Sequence, residues 1–199
     1  YHVDSQTLGQ FMADNITGCF AMAHQIGIEP EGIVNSIMTF KNVKRRLEKR
    51  YEGDITIFDD IAHSPSKAEA ILNSLRSVYK GKIIAVFEPN TGNRRAAAIP
   101  GYDEAFASAD EVIIPRLTKV KTDPKDPEKP MAGRQLVQII KKTHAKVNYF
   151  ENDSELIKYI VESTKKDDVV VFLGSHGFRG MIETLVDCLS SPPTRSGRE

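Results

Sequence analysis

Residues 55–70 read ITIFDDIAHSPSKAEA: a run of β-branched and aromatic side chains stops on two aspartates, passes a histidine and enters a segment that opens Ser-Pro-Ser. A short apolar run bounded by polar residues predicts a buried strand. Ser64 followed by Pro65 predicts a helix start, because serine caps free N–H groups and proline tolerates the first helical position. Ala68, Ile71, Leu72, Leu75 and Tyr79 recur at helical spacing, so this helix lays one apolar face on a core. Side chains alternate along a strand, so Asp59 and Asp60 point to opposite faces and only one of them meets a given ligand.

The same strand-then-helix unit recurs along the chain. KIIAVF at 82–87, EVIIP at 111–115, KVNYF at 146–150 and VVVFL at 169–173 read as strands, and Leu156, Ile157, Ile160 and Val161 form another helical stripe. Repeated units of this kind imply parallel strands with crossover helices on both faces, an α/β class. Ligands of such sheets sit beyond the carboxyl ends of the strands. The Asp-Asp-x-x-His cluster lies at such an end, where a capped helix also offers N–H groups to an anion. A capped helix with a solvent-facing aspartate explains the same residues without a ligand.

Ahead of this core, a helix is expected over about 9–27 and a second over 30–38, with Gly27 and Pro30 as stop signals. FKNVKRRLEKRYEG at 40–53 reads as a connection and a first strand that forms a hairpin with 54–59. Its bases Lys41, Lys44, Arg45, Arg46, Lys49 and Arg50 are either a nucleic-acid patch or the solvated face of an edge strand. The second reading is preferred, since charge commonly blunts an exposed edge and no aromatic array accompanies the bases.

The loop 116–133, with Pro124, Pro127 and Pro130 among charges, is either a lid or a mobile spacer. The polar tail 190–199 is expected to be disordered. The turn GSHGFRG at 174–180 spaces its glycines as G-x-x-G-x-x-G; it is either a tight turn with close helix packing or a cradle for a phosphate or carboxylate. No G-x-x-x-x-G-K-S/T occurs, so ATP phosphates, if used, are gripped outside this sequence.

Composition narrows the partners little. The 27 basic and 27 acidic residues cancel, so net charge names none. The apolar runs are far shorter than the roughly 20 residues of a membrane-spanning helix, and no basic-then-apolar leader is present, so a cytoplasmic protein is expected. Cys19 and Cys188 are too few and too separated for a disulfide framework or a zinc site, and are expected to be small buried side chains. At 199 residues one main domain is the default, and the abrupt start at Tyr1 suggests a piece of something longer.

Five stretches, in order, carry a resemblance: FKNVKRRLE at 40–48, DDIAHSPS at 59–66, FEPN at 87–90 followed by Arg94 and Arg95, ADEVIIP at 109–115, and DDVVVFLGSHGFRGMIETL at 167–185. Together they resemble the C-terminal domain of the Mur ligases, the ATP-dependent amide-forming enzymes of bacterial peptidoglycan precursors. Within that family the pattern looks closest to the muropeptide ligases, which join L-alanyl-γ-D-glutamyl-meso-diaminopimelate to UDP-N-acetylmuramate, with the L-alanine ligases second. GQFMADNITGCFAMAHQIGI at 9–28 is similar to the family's G-x-H-N-x-x-N helix, with Gly9 and Asn15 matching and Phe11 and Met12 in place of His and Asn.

The resemblance implies a Rossmann-like domain over 40–189, preceded at 1–39 by the last helices of a central ATPase domain that supplies the P-loop. It implies ATP and Mg2+ as cofactors, an acyl-phosphate intermediate, and UDP-N-acetylmuramate with an amino acid or peptide as substrates. Asn15, Arg46, Asp60 and His63 would face the nucleotide, with Asp60 at the ribose. His63, Arg94 and Arg95 would face the incoming amine component, one arginine holding its carboxylate. Arg46, Asp60, His63 and Arg94 are expected around one shared cleft. A Rossmann-like binding module without catalysis is the rival reading.

Overall fold

A computed structural model describes residues 1–5, 7–119 and 128–190. Among these, six strands form one sheet in the order β1-β2-β6-β3-β4-β5: β1 Glu48–Glu52, β2 Thr56–Asp60, β3 Ile83–Glu88, β4 Glu111–Pro115, β5 Val147–Phe150 and β6 Val169–Gly174. Only β1 runs antiparallel, paired with β2 as the expected hairpin, Glu48 opposite Asp59; all other pairs are parallel. Every residue of β2, β3, β4 and β6 is buried, as parallel strands covered on both faces must be.

The strand alternation divides the core in two. Phe58, Ala85, Phe87, Val112, Ile114, Val171 and Leu173 pack with α3 (Pro65–Val78) and α4 (Gly133–Ile140). Their neighbours Ile57, Ile84, Val86, Ile113, Val170 and Phe172 pack with α5 (Asp153–Ser163) and α6 (Met181–Ser190). The expected stripe of α3 is buried as Ala68, Ile71, Leu72 and Leu75, and Ser64 caps its start, accepting from the Lys67 N–H. The segment after β3 forms two 3-10 turns, Gly92–Arg94 and Ala96–Tyr102, in place of a regular helix, with Pro100 inside the second; proline removes a helical donor there.

This layering makes two places where connections part to opposite faces. β6 leads into α6 on the second face, yet lies between β2 and β3, whose following segments pack on the first. β4 leads into α4 on the first face and its neighbour β5 into α5 on the second. Crevices open at such points beyond the strand ends.

Helices α1 (Gln10–Gln25) and α2 (Pro30–Met38) stand near their expected positions, but α1 buries none of its residues. Cys19 on α1 and Cys188 on α6 are both free and exposed, correcting the expectation of burial: each sits on a helix surface turned from the two core clusters. Ser190, expected in the disordered tail, closes α6; residues 191–199, and 120–127 of the proline-rich loop, lie outside the described residues. Among the described residues no helix is long and apolar enough to cross a membrane.

At the amino end of the sheet, away from both crevices, Glu111 is fully buried. It accepts from Asn148 Nδ2 at 2.8 Å and Tyr159 OH at 2.6 Å, and pairs with Lys82 Nζ at 2.8 Å and Lys146 Nζ at 2.7 Å. Burial by itself would raise its pKa, but the hydrogen bonds from Lys146, Lys82 and Tyr159 outweigh it and hold the carboxyl down at about 2, against an ordinary 4.5. A depressed carboxyl contributes stability above its unfolded pKa and loses it as pH falls toward its folded pKa. Glu111→Gln is therefore expected to lose roughly 3 kcal/mol relative to the native chain above about pH 4.5, the gap closing as pH falls toward 2. Urea unfolding across pH measures it; a gap independent of pH would contradict the ion-pair reading.

Candidate nucleotide and substrate site

The two aspartates that end β2 are both buried, and they do different things. Asp59 faces the hairpin side, where Arg45 Nε lies 3.3 Å and Arg50 Nη1 3.4 Å away; Arg50 continues to Glu183 at 2.8 Å. Asp60, on the other side of the strand, accepts from the Leu47 N–H through Oδ2 and from the Ala62 N–H through Oδ1, each at 2.7 Å. Burial raises the pKa of both; for Asp60 those two N–H bonds and the charges of Arg46 and Arg45 pull the other way. Asp60 thus staples the segment before β1 to the turn after β2. A ribose at this position would meet a carboxylate already holding two backbone donors.

Of the two adjacent arginines, Arg45 is the one turned inward. With φ at 56°, its backbone swings the guanidinium across β2 to the glycine-rich turn, where it donates to the carbonyls of Gly174 at 2.5 Å, Ser175 at 3.1 Å and His176 at 2.9 Å. Three consecutive carbonyls drawn to one cation fix the path of the chain between β6 and α6. Gly174 is required there: a Cβ would stand 3.0 Å from the Glu88 carbonyl and 2.9 Å from the Phe178 ring. Arg46 stays exposed, close enough to lower the Asp60 pKa. A sequence reading that chose Arg46 passed over Arg45 because both are basic and neighbouring, and the positive φ that decides between them leaves no residue-type signal.

His63 sits half-buried between β2 and α3, its Nδ1 2.8 Å from the Ile61 carbonyl. A carbonyl only accepts, so the proton belongs on Nδ1 and Nε2 carries the lone pair. The His63 carbonyl in turn accepts from the Asn90 N–H at 3.4 Å, linking the tip of β2 to that of β3. Arg46, Asp60 and His63 thus lie about the tip of β2, Arg46 near enough to act on the Asp60 charge and His63 tied through its backbone to Asn90 beyond β3.

The other expected residues are elsewhere. Asn15 lines an apolar hollow with Met12, Cys19, Ile33 and Phe40 of the α1–α2 region, which none of those three residues lines; Phe11, where the resemblance leads one to expect His, packs on the first core cluster. Arg94 is half-buried, Nε donating to the Met131 carbonyl at 2.8 Å and Nη1 to that of Thr118 at 3.4 Å; burial lowers its pKa. It lines a cleft of about 480 Å³ with Arg116, Thr118, Lys119, Gly133, Tyr149, Glu151 and Arg179. Arg95 lies 4.0 Å from Glu128. The expectation of one cleft shared by Arg46, Asp60, His63 and Arg94 is thus corrected: Arg94 points to the β4–β5 side, since the 3-10 turns carry it past the tip of β3.

Arg179, which the sequence reading did not single out, joins the two crevices. It occupies a left-handed conformation at φ 54° in the β6–α6 turn and grips Asp153 at 2.9 and 3.0 Å. Its Nη1 also reaches buried Glu88 at 3.2 Å, and Glu88 accepts the Thr118 N–H at 2.7 Å. The tips of β3, β4, β5 and β6 are tied through one guanidinium. Among the described residues no group of three or more His, Cys, Asp or Glu could hold a metal ion.

The chain spans about two fifths of the length of the curated relatives it matches. One is the UDP-N-acetylmuramate–L-alanine ligase of Brachyspira hyodysenteriae, 31% identical over 88% of this chain and 39% of the relative. That of Caldicellulosiruptor saccharolyticus is 28% identical over 94% and 40%. Among solved structures, the UDP-N-acetylmuramate–alanine ligase of Thermotoga maritima superposes with a TM-score of 0.77 at 21% identity, over 95% of this chain and 40% of that one. A murein peptide ligase of Psychrobacter arcticus gives 0.65 at 20%, over 96% and 39%. These sequence relatives are L-alanine ligases, while the peptide ligase is similar in fold, so the comparisons back the second of the two expectations, the L-alanine ligases, better than the first. Residues 45–176, from the inward arginine to the glycine-rich turn, match the model of the glutamate ligase domain of the Mur ligases, and the chain belongs to that family.

Proposed function

We propose that this chain is the C-terminal portion of an ATP-dependent ligase that joins an amino acid to UDP-N-acetylmuramate by an amide bond, L-alanine being the amine the sequence relatives favour. Residues 1–39 are then the last helices of a central ATPase domain and 40–189 the domain that closes over the nucleotide, in the cytoplasm. The tip of β2 supports this reading, because Asp60 ends the strand with Arg46 acting on its charge and the capped start of α3 following, beside β6, where connections part to opposite faces.

The residues present suit a nucleotide's edge. Arg46 is an exposed cation, the α3 N-terminus offers N–H groups, and Asp60 sits buried between them, oriented by its two backbone donors. ATP supplies the activating phosphoryl group when bound. This chain's part is to orient it: Arg46 holds negative charge at the rim, Asp60 fixes the loop that carries Arg46, and the His63 Nε2 lone pair accepts from an N–H of the adenine or the incoming amine. Mg2+, when bound, would balance the charge of the phosphates; among the described residues no group of three or more His, Cys, Asp or Glu would hold it.

A peptide acceptor is the second reading, favoured by the 480 Å³ cleft beside Arg94, which falls in the size range of sites for ligands well above a single small amino acid. The test is ADP release by the chain joined to its proposed upstream portion. Release should require both UDP-N-acetylmuramate and an amine, and Arg46→Ala should lower it by about 100-fold. Release independent of either substrate, or unchanged in the variant, would overturn the reading.

A further inference from the structure

We infer that His144, in the turn between α4 and β5, is an acid-sensitive latch: neutral, it locks that turn onto the chain entering β4, and protonated, it lets go of Lys146. The latch lies at the amino end of the sheet and is independent of the ligase reading.

Geometry settles the tautomer. The half-buried ring has Nε2 3.0 Å from the Ala109 carbonyl, while the Lys146 N–H points at Nδ1 over 3.2 Å. A carbonyl only accepts and a backbone N–H only donates, so the proton belongs on Nε2 and the lone pair on Nδ1. This is the reverse of His63, whose Nδ1 faces a carbonyl. The chain of bonds from Ala109 through His144 to Lys146 therefore needs a neutral ring, because an imidazolium donates from both nitrogens and sets its Nδ1 proton against the Lys146 N–H. Acid keeps the first bond and breaks the second.

Lys146 is where β5 joins β4 at this end of the sheet. Its carbonyl accepts from the Val112 N–H at 3.0 Å, and its Nζ pairs with buried Glu111 at 2.7 Å. β5 ends the sheet, with β4 as its one strand neighbour among the described residues, so little else holds it in register. Thr143 adds one further tie, its hydroxyl accepting the Glu104 N–H at 3.1 Å.

The ring meets charge from both of the elements it joins. Lys141, Lys142 and Lys146 stand on its own turn, and Asp103, Glu104, Asp110 and Glu111 on β4 and the chain entering it. Asp110 is paired with Arg76, and Glu111 with Lys82 and Lys146. Glu111, held down at about 2, and Lys146, whose pKa Glu111 raises, both keep their charges between pH 7.5 and 5. The ion pair stays charged while the latch opens.

Amide hydrogen exchange read by NMR tests the latch, with nitrogen-15 spectra of the imidazole following the ring itself. At pH 7.5 the ring should show the Nε2–H tautomer and the Lys146 amide should be protected. As the ring protonates on the way to pH 5, the Lys146 protection factor should fall about tenfold, the worth of roughly one hydrogen bond. In His144→Asn the side-chain oxygen accepts the N–H two residues on, as in an Asx turn, and does not titrate, so Lys146 should keep its protection at both pH values. That variant leaves Asp59 and Asp60, raised by burial at the far end of the sheet, to titrate as before. An Nδ1–H tautomer, a ring still neutral at pH 5, Lys146 protection that does not follow the ring, or an equal fall in His144→Asn would overturn the latch. The first three are read on the native chain alone.

Discussion

Replacing Arg45 with alanine should lower the unfolding free energy by about 3 kcal/mol, while the same change at Arg46 should leave it within about 0.5 kcal/mol. The adjacent residues carry the same charge and differ in what the charge meets. Arg45 gives charge-assisted bonds to the carbonyls of Gly174, Ser175 and His176 and sits against Asp59. Without it, buried Asp59 keeps, among the described residues, Arg50 at 3.4 Å as its one cationic partner. Alanine at φ 56° is no better placed than arginine, so the difference reports the guanidinium and not the backbone. Thermal or urea unfolding of the two variants side by side decides the matter; equal losses would mean that Arg45 does not hold the turn.

Asp60→Ala is expected to cost about 3 kcal/mol, because it strips the acceptors from two buried N–H groups at once, each worth roughly 1–3 kcal/mol when left unpaired. The Leu47 and Ala62 donors are both enclosed. Recovering the desolvation of a buried carboxylate offsets part of the loss, since burial already lifts the Asp60 pKa. Asp60→Asn should fall between, its amide oxygen still accepting one N–H while its amino group faces the other donor. In the proposed longer ligase both variants would also lose turnover through displacement of the loop that carries Arg46. A stability change below about 1 kcal/mol in Asp60→Ala would show that the staple is not needed.

The layered fold was legible from the sequence because parallel strands buried on both faces must be apolar throughout, as in KIIAVF and VVVFL, and because α3 declares itself by its cap and its stripe. The site was legible only at its strand-borne parts. Asp59 and Asp60 could be placed on opposite faces from strand alternation alone. Arg45 and Arg179 could not be found that way: each is aimed by a positive φ, and each finds partners far along the chain, Arg45 at 174–176 and Arg179 at Glu88 and Asp153. Arg94 was expected beside Asp60, but the 3-10 path after β3 carries it toward Thr118 and Met131. The cysteines were misread because an average preference for burial says nothing about a helix such as α1, which buries none of its side chains.

The claim on which the rest depends is that nucleotide meets this domain at the crevice of β2, β6 and β3. Amide chemical-shift mapping of the chain titrated with ATP to about 10 mM measures this directly, weak binding being enough to shift resonances. Shifts should gather at Arg46, at 60–64 and at 174–177, and should be lost in Arg46→Ala. Shifts confined to other surfaces, or none in those three segments, would contradict it.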